Sequence, residues 1–134
     1  MNHRLSVLVA AVGLVLAVGS ATASAQEVLI VNVPFPFLVA GKTHPAGEYR
    51  MGVSDNKMEL TITPAKGPAT VALIVTRLAS SDSPTQADRA VFDEVNNTYT
   101  LSELWVGSRD DGYLLHATKG PHTHQTVKVG RKAR

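Results

Sequence analysis

The stretch Val31–Tyr49, VNVPFPFLVAGKTHPAGEY, decides the fold. Together with Leu29 just before it, Val31, Val33, Phe35, Phe37 and Val39 are apolar and share one parity, the period-2 stripe of a strand that lays one face on a core. Two of the chain's three phenylalanines sit on that stripe, so this strand should close the core. Pro34 and Pro36 occupy the other parity. Backbone donors of residues i and i+2 point to the same side of a strand, so both missing N–H groups fall on one edge, which cannot take a normal neighbour there. The expectation is an edge strand over 28–39, or two short strands broken at the prolines, with the proline pair guarding the edge against aggregation. Gly41-Lys42 and Pro45-Ala46-Gly47 then supply turn residues before a strand resumes over 48–53.

Downstream the same alternation recurs. Tyr49, Met51 and Val53 should face inward, then Met58, Leu60 and Ile62 after a polar turn at Ser54–Lys57. Residues 69–78, ATVALIVTRL, are apolar on both parities from Val71 to Val75, the mark of a strand that is central or covered on both sides. Residues 79–89, ASSDSPTQADR, read as the long loop. Asn96-Asn97 separates two strand-like runs and tolerates the left-handed backbone that a type I′ hairpin requires. A turn at 107–112 leads to a strand over 113–118, and 125–129 has the pattern of one more. About eight short strands, spaced about ten residues apart with no helical period, indicate an all-β domain, an antiparallel sandwich or small barrel.

The chain of 134 residues opens like a secretory signal: Arg4, an apolar run from Leu5 to Val18, and Ala23-Ser24-Ala25 as the cleavage site. That divides it into a signal peptide over 1–25, a β-domain over 26–118 and a basic, His-containing tail over 119–134. The rival reading, an uncleaved anchor, needs roughly 18–20 apolar residues, more than this run supplies. The mature protein is expected outside the cytoplasm, periplasmic or extracellular, without a transmembrane segment. The absence of cysteine excludes disulfides, thiolate metal sites and a lipidated Cys. The net charge of +2 falls further once Arg4 is removed, which gives no bias toward nucleic acid.

Two motifs carry a resemblance. VNVPFPFLVAGKTHPAGEYRM, over 31–51, resembles the V-P-F-x-F-x-V-x-G-K-x-L-P-A-G-x-Y opening of a family of small secreted bacterial proteins abundant in Acidobacteria. YTLSELW, over 99–105, is similar to that family's Y-x-L-S-E-x-W. The resemblance implies a secreted bacterial protein and brings no catalytic residue. His44 stands where the family has an aliphatic residue, and the His-bearing tail departs from the family's usual end.

Within YTLSELW, Glu103 shares the parity of Tyr99, Leu101 and Trp105 and should lie inward or beside the core. A carboxylate so placed is a general acid or binding-site anion, or it is tied to Arg77, Arg50 or backbone donors, or turned outward by a bulge. Trp105, Tyr99 and Tyr113 would form a sugar-stacking platform if exposed and core rim if not. His116, His122 and His124 have a spacing that can offer imidazoles to Zn or Cu from an extended chain, although no acid follows Asp111 to complete a set. The tail's Lys119, Lys128, Arg131, Lys132 and Arg134 either solubilise it or touch anionic envelope lipid or polysaccharide. No G-x-S-x-G, P-loop or G-x-G-x-x-G is present, and no Ser, His and Asp set is nominated by spacing. The expectation is a non-enzymatic binding or structural domain, its partner envelope polysaccharide or another exported protein, with weak metal binding by the histidines as the alternative.

Overall fold

The computed structural model describes residues 28–79, 88–106 and 111–133. The signal-peptide reading, most of the loop at 79–89 and most of the turn at 107–112 fall outside them. Among the described residues there are twelve strands: Val28–Val33 (β1), Phe37–Val39 (β2), Lys42–His44 (β3), Gly47–Val53 (β4), Glu59–Pro64 (β5), Thr70–Leu73 (β6), Thr76–Ala79 (β7), Arg89–Val95 (β8), Thr98–Val106 (β9), Asp111–Leu114 (β10), Thr123–Lys128 (β11) and Arg131–Ala133 (β12). They form two open sheets, so the fold is a sandwich and not a barrel. The first sheet runs β12-β1-β4-β5-β6. The second runs β11-β8-β9-β10-β7, with β2 beside the start of β9 and β3 beyond it. Pairing is antiparallel except where Leu38 meets Thr100. No helix among the described residues is long and apolar enough to cross a membrane.

The opening stretch spans both sheets. The stripe predicted from its parity is real: Leu29, Val31, Val33, Phe37 and Val39 are buried and Phe35 is partly so, while Pro34 and Pro36 are exposed. Of the two arrangements expected, one edge strand or two short strands broken at the prolines, it takes the second. The chain breaks at the prolines, leaving β1 in the first sheet and carrying β2 into the second, and β1 lies between β4 and β12. Proline suits a crossover because it needs no ladder partner for its nitrogen. Three further crossings lie at Pro45-Ala46, Ile74-Val75 and Val129-Gly130; the second divides what reads as one strand, and the others lead to or from short strands, β3 and β12, outside the expected set, which raises the strand number above eight.

Phe37 is the centre of the core. Its ring meets Tyr49 and Phe92 edge-on, at 5.0 and 5.4 Å between centroids, and stacks on His44 at 5.3 Å. Phe35 stacks on Tyr99 at 4.0 Å and meets Phe92 edge-on. These geometries add to the area the rings bury. His44 is buried with both ring nitrogens satisfied: Nδ1 donates to the Lys42 carbonyl and Nε2 pairs with the Thr70 hydroxyl, each at 3.0 Å. The Tyr49 hydroxyl donates to the Pro45 carbonyl, and burial pushes its pKa up. The Asn96-Asn97 hairpin is as expected, both residues having positive φ, 49° and 64°.

Other expectations are corrected. ATVALIVTRL is two strands, not a central one. β6 forms the outer edge of the first sheet and β7 that of the second, with Val71 and Leu73 exposed. Apolar character on both parities did not mean cover on both faces. Met58 points outward, just before β5 begins. The strand expected over 113–118 ends at Leu114. Residues 119–134, read as a tail with one further strand and a frayed end, contribute β11 beside β8 and β12 beside β1.

Candidate functional site

The site is built on a bulge. β8 and β9 pair Val91 with Glu103 but Phe92 with Leu101, so Ser102 is one residue more on β9 than on β8. An inserted residue reverses the side-chain alternation beyond it. Leu101 and Leu104 are therefore both buried in the core, whereas Glu103 and Trp105 turn to the outer face of the second sheet. Ser102 is small enough for the bend, and its hydroxyl lies 3.1 Å from the Val91 carbonyl. Its own carbonyl accepts from Leu115 N and His116 N, which draws the segment after β10 over this face.

Under that segment lies a cavity of about 270 Å³ lined by Asp93, Glu103, His116, Thr118, His122 and His124 among others. Asp93, on β8, is 3% exposed. Strand β11 sets His124 directly opposite it, with Nδ1 2.9 Å from Asp93 Oδ1. His122 Nε2 lies 3.9 Å from the same oxygen, and the two imidazoles meet edge-on. His122 Nδ1 sits 2.9 Å from the Gly120 carbonyl, which can only accept, so Nδ1 carries a proton and Nε2 is the nitrogen that faces Asp93. A carbonyl holding the far nitrogen in this way is how metal-ligating histidines are commonly oriented.

The three ligand atoms lie within 4.8 Å of one another. A tetrahedral ion with bonds of about 2.0–2.1 Å needs them about 3.3 Å apart, a small closure. The Asp93 carboxyl is pushed up by burial, but hydrogen bonds from Thr118 and Ser102 and the charges of His122 and His124 outweigh this and hold it below the usual carboxylate value. It thus stands ready as an anion. Burial pushes Glu103 the other way; the Asp93 charge adds to the rise, and His124 and Arg89 do not cancel it.

The predicted residues divide. His122 and His124 come together, while His116 lines the cavity outside the ligand group. The acid missing from the tail is Asp93, 31 residues before His124, and only the pairing of β8 with β11 reveals it. Trp105 lies on the outer face over Gly112, where a Cβ would come within 2.5 Å of its ring, with Arg89 4.9 Å above the indole. Tyr99 stacks inside on Phe35, and Tyr113 is buried in the core, so the three aromatics form no platform. No family model matches the chain, and neither a curated protein nor a solved structure matches it.

Proposed function

We propose that this chain is an exported, non-enzymatic binding domain whose ligand is a divalent transition-metal ion, Zn²⁺ or Cu²⁺. The observation that carries the reading is the convergence of His122 Nε2 and His124 Nδ1 on one oxygen of a buried aspartate. Two imidazoles and a carboxylate suit borderline ions and leave a fourth position to water. An ion bound by His124 Nδ1 takes the place of the proton now shared with Asp93, so uptake releases protons and strengthens with pH. The signal-like amino terminus supports export. Calorimetric titration with Zn²⁺ and Cu²⁺ tests the site. The parent and His116→Ala should bind one ion per chain with similar affinity, and the His122→Ala/His124→Ala double variant should bind at least about tenfold more weakly. Equal affinity in the parent and the double variant, with circular dichroism showing both folded, would exclude the assignment.

A further inference from the structure

Strand register sets a row of side chains across the outer face of the second sheet. Lys128 on β11 lies opposite Arg89 on β8, Arg89 opposite Trp105 on β9, and Trp105 opposite Gly112 on β10. Directly paired residues of antiparallel strands project to the same face, so Lys128 joins Arg89 and Trp105 there. Trp105 is half-buried over Gly112, and the Arg89 guanidinium stands 4.9 Å from its ring centroid. Two cations directly opposite each other weaken a sheet, and none of these four residues is an acid. The stack on the indole steadies the guanidinium plane and leaves its N–H fork prepared for an oxyanion, with Lys128 exposed beside it.

The same face carries the metal-ion site. Asp93 follows Arg89 by four residues on β8, about 13 Å along the strand and on the same parity. Glu103, paired with Val91, lies between them, and its charge reaches both. A divalent ion at Asp93, His122 and His124 offsets these acids, so that the whole face then attracts anions, and its fourth position is open to an oxygen ligand. We propose that this face binds an acidic polysaccharide through the carboxylates of its sugar units, one on the Arg89–Lys128 pair and another on the ion, a mode that rests on the metal-binding reading above. A lone carboxylate engages one of the two points. A chain that repeats the group engages both at once and gains by the linkage. An anionic bilayer fits this face less well: as a plane it would meet Glu103 together with the cations, and half-buried Trp105 gives it no exposed aromatic to insert.

Polygalacturonate immobilised on a biosensor tests this with the full chain carrying one equivalent of Zn²⁺, in about 0.15 M salt to screen diffuse attraction. The zinc-loaded parent should bind. Arg89→Gln/Lys128→Gln should bind at least about tenfold more weakly while taking up zinc as the parent does. Lys57→Gln/Lys66→Gln, which loses the same charge at turns of the first sheet, should match the parent. Removing the ion with EDTA should weaken the parent at least about tenfold, and free galacturonate should compete poorly with the polymer. A parent that takes up zinc in calorimetry yet ignores polygalacturonate overturns the inference and leaves the metal reading standing, whereas one that takes up no zinc removes both. Equal binding by the Arg89→Gln/Lys128→Gln variant overturns it, as does unchanged binding in EDTA. Binding to phosphatidylglycerol vesicles without binding to the polymer would give the face to a membrane and overturn it as well.

Discussion

Ser102 sets the chemistry of the second sheet's outer face. One extra residue keeps Leu101 and Leu104 in the core and moves Glu103 to the outer face, beside Asp93. The two acids then respond to pH with opposite signs. Asp93 is held below its ordinary value, so its stabilisation is present at neutral pH and is lost as pH falls through its folded-state pKa. Glu103 is held above its ordinary value, so its contribution is complete in acid and is lost as pH rises through its folded-state pKa. Glu103→Gln, which mimics the protonated acid, should therefore melt above the parent at pH 7 in EDTA. The two curves should converge below about pH 4, where the unfolded chain also takes up the proton. Thermal melts across that range check the sign, and a gap that widened toward acid would reverse it.

At the scale of the element, the opening stretch divides its work between its two parities. Phe37, 1% exposed between Tyr49 and Phe92, should cost about 3–5 kcal/mol when truncated to Ala. Phe35 is only partly buried on its stack with Tyr99, and Phe35→Ala should cost about 1–2 kcal/mol. Pro36→Thr, exposed in the crossover, should cost under about 1 kcal/mol. Denaturant melts rank the three, and a Phe37→Ala variant as stable as Pro36→Thr would invert the assignment. What sequence reveals here is local. The parity of 29–39 and the Asn96-Asn97 hairpin are legible because neighbouring residues alone decide them. The bulge is legible only as one reading among several: Glu103, out of step with its apolar neighbours, allows it, and β8, one residue shorter there, is what shows it. The exposure of β6 is not legible: Val71 and Leu73 read as buried, yet β6 is the last strand of its sheet among the described residues and both are exposed. Asp93 carries no signal as a ligand, since its histidines reach it through strand pairing.

Across the whole molecule, residues 119–134 complete both sheets. Removing everything after Thr118 strips β11 from β8 and β12 from β1, and takes His122 and His124 with them. The truncated chain should lose its cooperative thermal transition, whereas a detachable tail would leave the melting temperature within a few degrees of the parent's. Differential scanning calorimetry distinguishes the two. The pairing of Val28–Ile30 with Arg131–Ala133 also joins the first and last described strands. Such a contact closes the longest loop among them, and the entropy of closing it is lost before any bond is gained. In a polypeptide emerging amino end first, β1 keeps one side bare until β12 follows it, after β11 has already joined β8 in the other sheet. The first of the described strands to appear is thus the one whose pairing is completed last.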